Sequence, residues 1–188
     1  MLVMETSSTS RRGGRLVQPG QVVEAAMELL DAEGLAAVTF RRIGAELGVS
    51  HMTIYSCFAS KDELLQALAA GTIDVPSIHP SADLAWHEAL ASAMHEIYSA
   101  LSRRPAAAEL LVTVRMEGAW TDAVREPLMN LLRHGGYDDA GARDGISMLF
   151  NYVLGGVLID ARRDRGGSAD SFGRGLAYLI DGLRADAV

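Results

Sequence analysis

The stretch Thr39-Phe-Arg-Arg-Ile-Gly-Ala-Glu-Leu-Gly-Val-Ser-His-Met-Thr-Ile-Tyr-Ser-Cys-Phe58 constrains this chain more than any other. It reads as a short helix, a glycine turn and a second short helix. Two helices that cross steeply need a tight turn where bulky residues would clash, and Leu47-Gly48-Val49 supplies one. Thr39 is placed to cap the first helix, whose inner face is Phe40, Ile43 and Leu47. Ser50 is placed to cap the second, which is expected to run to about Cys57. Val49 and Ile54 turn inward, leaving His51, Met52, Thr53, Tyr55 and Ser56 mostly outward. A face of small and hydrogen-bonding groups on a short helix suits the major groove of DNA.

The flanks have the same helical grammar. Val22, Val23, Ala26, Met27, Leu29 and Leu30 recur at three- and four-residue steps between Pro19, which suits a first helical turn, and Gly34, which suits a stop. Ser60-Lys-Asp-Glu63 is a capping box opening a further helix through Leu64, Leu65, Leu68 and Ala69 to Gly71. Val75 to Ser81, with Pro76 and Pro80, reads as a linker. Beyond it the periodicity is helical only. Segments run over about 84–103, stopped by Pro105, then 106–116, 121–133, 138–163 and 169–185. No segment alternates with period two, so the fold class is all-α. The organisation expected is an arm over 1–17, a helix-turn-helix unit over 18–71 and a second helical unit over 72–188.

Composition limits the rest. The net charge is −7, which by itself argues against nucleic acid, because phosphate neutralisation needs Lys and Arg. The basic residues Arg11, Arg12, Arg15, Arg41, Arg42 and Lys61 do fall in the first third, interleaved with acids, so the DNA reading rests on geometry. Apolar residues make up 49% of the chain, enough for a core. One cysteine, Cys57, allows no internal disulfide and fits a reducing, cytoplasmic setting. The polar start has no signal-peptide pattern, and no stretch is apolar enough to span a membrane. An enzyme is not expected. His51, His79, His87, His95 and His134 are scattered without metal-ligand spacing, the adjacent pairs His87-Glu88 and His95-Glu96 diverge on a helix, and no glycine-rich phosphate loop occurs.

Taken with its flanks, the N-terminal motif resembles the TetR family of transcriptional regulators. The residues that carry the likeness are Ala25-Ala-Met-Glu-Leu-Leu30, Gly34-Leu35, Val38 through Ser50, Thr53-Ile-Tyr55, Phe58 and Ser60-Lys-Asp-Glu-Leu-Leu65. The resemblance implies a repressor that binds a palindromic DNA operator as a homodimer and is released by a small-molecule inducer. It implies phosphate contacts from Thr39, Tyr55 and Lys61, a phosphate or base contact from Arg41, and a base-facing set at His51, Met52, Thr53 and Ser56, with Ser50 also among the DNA-binding residues. Cys57 departs from the common pattern, where histidine or arginine is frequent. Trp86, the helix ending at Arg103-Arg104, and Asn151-Tyr-Val-Leu-Gly-Gly-Val-Leu158 resemble the tetracycline-repressor branch, which implies an internal ligand cavity.

On that likeness the ligand-contacting positions fall on Ala93, Ile97, Leu111, Asn151 and Ile159. Mostly apolar groups cannot hold magnesium, a hard cation that wants oxygen. The expected inducer is therefore mainly apolar, with Asn151 as an anchor and no metal or other cofactor. His95, Tyr98, Arg115 and Trp120 are further candidates for the lining. The dimer surface is expected on the last two helices, at Leu149, Val153 and Val157 beside Gly155-Gly156, and at Phe172, Leu176, Leu179, Ile180 and Leu183. The alternative is that these stripes are core within one chain, but two long, strongly apolar helices at the chain end favour a four-helix dimer bundle. Two other functions stay open: a DNA-binding regulator without an inducer, and a helical ligand-binding protein without DNA function.

Overall fold

The computed structural model describes residues 16–72, 83–114, 119–162 and 169–187, and it shows helices and no strands among them. The helices are α1 (Pro19–Glu33), α2 (Phe40–Glu46), α3 (His51–Tyr55), α4 (Lys61–Ala70), α5 (Trp86–Ser102), α6 (Pro105–Thr113), α7 (Ala119–His134), α8 (Asp139–Ala161) and α9 (Ala169–Asp186), with a 3-10 turn at Leu35–Ala37. The arm before Leu16, the Val75–Ser81 linker and Arg115 lie outside the described residues, as does the Trp120 side chain.

Local chemistry sets most of these boundaries. Pro19 opens α1, and Gly34 ends it at φ +83°, with its N–H bonded to Leu30 O. The buried stripe Val22, Ala25, Ala26, Leu29 and Leu30 faces α2 and α4. Thr39 Oγ1 accepts the Arg42 N–H at 3.2 Å and caps α2. Ser60 Oγ accepts the Glu63 N–H at 3.1 Å and caps α4, while the Glu63 carboxylate reaches past Ser60 to the Ala59 N–H at 2.7 Å.

Ser50 differs from expectation. Its hydroxyl takes no backbone N–H and instead lies 3.2 Å from Thr53 Oγ1. Nor does α3 reach Cys57, for it ends at Tyr55. Pro105 opens α6 as well as stopping α5, because a first-turn proline loses no hydrogen bond.

The C-terminal helices pack around α8, which touches α5, α6, α7 and α9. Trp86 lies against the backbone at Gly135, where an added Cβ would stand 2.7 Å from the indole. Tyr137 then donates to Leu183 O at 2.8 Å, pinning α9 to the α7–α8 turn. One continuous core runs from Val17 to Leu183.

The expected dimer stripe is turned inward. Leu149, Val153, Val157, Phe172, Leu176, Ile180 and Leu183 are buried within the single subunit, and Leu179 is half-buried. The buried ones among them already serve as core within one subunit, and the area they could still offer a second copy is small. The glycine pair splits accordingly. An added Cβ at Gly156 would meet Phe172 at 3.3 Å and Tyr98 at 3.5 Å, whereas at Gly155 it would meet nothing within 4 Å.

Candidate functional site

The helix-turn-helix is assembled from two isoleucines and two glycines. Ile43 on α2 and Ile54 on α3 are fully buried. Gly48 takes φ +67°, a left-handed conformation that L side chains avoid. Gly44 sits where α3 begins: a Cβ there would lie 2.9 Å from Val49 O and 3.2 Å from His51 N. A glycine inside a helix costs about 1 kcal/mol relative to alanine, and here it allows the close crossing. That cost was a readable sign of close backbone approach, which the sequence reasoning passed over.

A five-residue helix cannot hold itself by propensity, so α3 depends on this packing, and what the packing leaves over is its outer face. Met52 is 64% exposed and Tyr55 50%. His51 and Ser56 are exposed and Thr53 is half-buried. The Tyr55 ring meets the buried Phe40 edge-on with centroids 4.5 Å apart. Tyr55 therefore ties α3 to α2 with one edge and keeps the rest of its surface in solvent. Thr39, Arg41, Ser50 and Lys61 are exposed too.

The neighbouring arginines separate by role. Arg42 is held by Glu33 at 2.6 Å and Glu46 at 2.7 Å, clamping α1 to α2. These carboxylates raise its pKa further above the ordinary value, the hydrogen bond to Glu33 contributing most. Arg41 remains exposed. Cys57 donates its thiol to Val17 O at 3.3 Å, which anchors the chain just before α1.

Two of the clefts among the described residues lie in the C-terminal half. One, of about 360 Å³, runs between α6, α7 and α8, with Leu111, Val124, Ile146, Phe150 and Leu154 among its walls and Asn151 at its edge. The other, of about 330 Å³, lies between α8 and α9 and is bounded by Asn151, Tyr152, Ile159, Asp160, Ser171 and Phe172. Of the five expected ligand positions, Leu111, Asn151 and Ile159 line these clefts. Ala93 and Ile97 instead sit buried in the α5 face and line neither.

Sequence reasoning missed the aromatic stack beside the second cleft. Phe172 lies between Tyr98, with centroids at 3.7 Å, and Tyr152, at 5.2 Å. Tyr98 donates to Asp160 Oδ2 at 2.6 Å. Burial, then that bond, raises the Tyr98 phenol above its usual pKa. Among the described residues, no group of three or more His, Cys, Asp or Glu side chains is placed to hold a metal ion. No described helix is long and apolar enough to cross a membrane.

One short helix joins the two halves. At its start, Arg104 makes a two-pronged bond to Asp31 of α1, with Nε at 3.0 Å and a terminal nitrogen at 2.7 Å. At its end, Thr113 and Val114 face Asp62, Leu65 and Gln66 of α4 across a small gap. Between them, Leu111 and Val112 line the α6–α7–α8 cleft.

Residues 22–68 match the sequence model of bacterial regulatory proteins of the tetR family, and residues 79–169 match that of the tetracyclin repressor-like C-terminal domain. The chain belongs to the TetR family. It resembles repressors along most of its length. It is 32% identical over 153 residues to the HTH-type transcriptional repressor DrrR1 of Streptomyces coeruleorubidus, covering 78% of this chain and 56% of that protein. The chain thus spans little more than half the length of that relative. BioQ of Mycobacterium smegmatis superimposes with a TM-score of 0.78 at 31% identity, over 90% of this chain and 99% of that one. BioQ solved with its double-stranded DNA operator superimposes at 0.76, with the same identity and coverage. A TetR variant from Acinetobacter baumannii in complex with minocycline gives a TM-score of 0.79 at 26% identity, over 90% of this chain and 97% of that one.

Proposed function

We propose that this TetR-family chain is a ligand-responsive repressor. It binds a two-fold-symmetric operator as a homodimer and is released by a mainly apolar small molecule. The observation that carries this reading is the arrangement around α6. A nine-residue helix lines a cleft with its middle and holds both α1 and α4 of the helix-turn-helix unit with its ends. BioQ solved on operator DNA and the minocycline complex of TetR support the two halves of the reading.

On DNA, α3 would enter the major groove, with His51, Met52, Thr53 and Ser56 toward the bases. Thr39, Tyr55 and Lys61 would contact phosphate, and Arg41 phosphate or a base edge. Met52 can touch a thymine methyl and cannot hydrogen-bond to a base edge. The chain is acidic overall, and Arg42 is committed to Glu33 and Glu46. The electrostatic share of affinity therefore rests on few groups, and the salt dependence should be shallow for a DNA-binding protein.

The dimer surface would use the outer faces of α8 and α9. Met148, Gly155 and Ile159 form one stripe on α8, and Tyr178, Gly182 and Ala185 another on α9. Tyr178 is 76% exposed and Ile159 51%. An added Cβ at Gly155 or Gly182 would meet nothing within 4 Å, so a neighbouring helix can approach closely there. Pairing would set the two copies of α3 about 34 Å apart, one turn of DNA.

Effector in the cleft would favour a position of α6 that carries α1 and α4, and with them α3, away from that spacing. DNA must then weaken effector binding by the same factor. The test is operator binding in salt titrations with a fluorescent duplex from beside the protein's own gene. Tyr55→Phe and Lys61→Ala should each weaken specific binding, and Lys61→Ala should lower the salt slope by about one. Unchanged affinity in both variants would remove α3 and α4 from the interface.

A further inference from the structure

We infer that the cleft beside Asp160 receives the ammonium end of an organic amine, so that the effector is an apolar cation. This rests on the effector reading above and names the chemistry of its ligand. Asp160 is the one charged residue among the described residues that line the cleft. Its carboxylate is half-buried and already aimed by the Tyr98 hydroxyl at 2.6 Å. No lysine, arginine or histidine among the described residues forms an ion pair with it.

A carboxylate offers roughly four acceptor positions, and Tyr98 uses one. Any molecule that fills this cleft strips water from Asp160. That costs free energy unless the molecule returns a compensating donor, and a cation does so best. The walls beside the carboxylate include Tyr152, stacked on Phe172, and an aromatic face not covered by another ring attracts an ammonium within about 6 Å. Asn151 and Ser171 add oxygen acceptors for further N–H groups. A divalent metal would need more oxygen ligands than one carboxylate provides, and an anion would be repelled.

Asn151 also borders the apolar α6–α7–α8 cleft. A ligand long enough to pass Asn151 would set its amine at Asp160 and its apolar body toward α6. Gly155 and Ile159 belong to the proposed dimer face as well, so the second copy would close the open side of this cleft.

The test uses a matched pair of fluorescent probes on the full chain without DNA: dansylcadaverine, a protonated amine at neutral pH, and its N-acetyl derivative, which is neutral. The amine should bind roughly tenfold tighter, the ratio a charge-assisted hydrogen bond supplies. Asp160→Asn should bring the ratio to about one. Tyr98→Phe, which keeps the carboxylate, should preserve it. Ser171→Lys should weaken the amine roughly tenfold by placing a tethered ammonium in the cleft, and should leave the neutral probe unaffected. Equal affinities, no binding of either probe, or a ratio unmoved by both Asp160→Asn and Ser171→Lys would overturn the inference. So would an Asp160→Asn variant that alters dimer dissociation in sedimentation while the ratio stands, because the carboxylate would then serve the interface. Release of operator by both probes alike overturns the cation and leaves the effector reading. The predicted ratio without any operator release keeps the amine site and removes its role as effector site.

Discussion

Helices α3 and α8 are opposite solutions to the same problem. The first has five residues and is held by Ile54, Phe40 and the Gly44 crossing, so almost everything it does not bury is free for a partner. The second has 23 residues, touches four other helices and buries Ala142, Gly145, Ile146, Leu149, Val153 and Val157 inside its own subunit. A short helix with one anchored side leaves little choice of outward face. A long apolar helix offers several stripes, and tertiary packing decides which one meets the subunit core.

The sharpest way to break this contrast is Ile54→Ala. Truncating a fully buried isoleucine costs about 2–5 kcal/mol. In so small a unit the loss should abolish operator binding while α5–α9 keep their helicity and probe binding, read by circular dichroism and fluorescence. Gly44→Val comes next. Its Cβ would meet backbone at Val49, which cannot yield as a side chain would, so about 1–3 kcal/mol of overpacking strain is expected. Gly20→Ala in the first turn of α1, by contrast, meets open space and should leave thermal stability unchanged or slightly raised. Equal melting shifts for the two glycine variants would erase the distinction between a crossing glycine and an open one.

These sites also show what sequence could and could not reveal. The caps at Thr39 and Ser60, the stop at Gly34 and the buried Ile43 and Ile54 follow from rules acting within a few residues, and they stand in the structure. The outer face of α3 came with them. Ser50 departs because its hydroxyl has a nearer partner in Thr53. The stripe expected at the dimer surface falls within the subunit core for a different reason. Periodicity identifies the apolar side of α8 and α9, and it carries no information on whether α5 or a second copy covers that side. Ala93 and Ile97 are buried on α5, and a core position and a cavity wall have the same composition. Arg104 with Asp31 and Tyr98 with Asp160 are 73 and 62 residues apart in sequence, beyond the reach of any local rule.

Two smaller effects sharpen the comparison further. Thr39→Ala removes the α2 cap and should cost about 1 kcal/mol in chemical denaturation. Arg104→Ala breaks a partly exposed ion pair worth less than about 1 kcal/mol in stability. Its signature should lie elsewhere, in a reduced shift of operator affinity on adding effector with DNA binding itself intact. A normal shift in Arg104→Ala would remove the Asp31 contact from the path between cleft and α1.

The central claim is that α3 reads DNA as one of a two-fold pair. Selection from a random-sequence duplex pool, followed by footprinting of the enriched site and sedimentation of the complex, tests it most directly. The expected result is a palindromic site with half-sites about one helical turn apart, occupied by an even number of chains and lost in Tyr55→Phe combined with Lys61→Ala. An enriched site without two-fold symmetry, bound by a single chain, would contradict it, as would the absence of any enriched sequence.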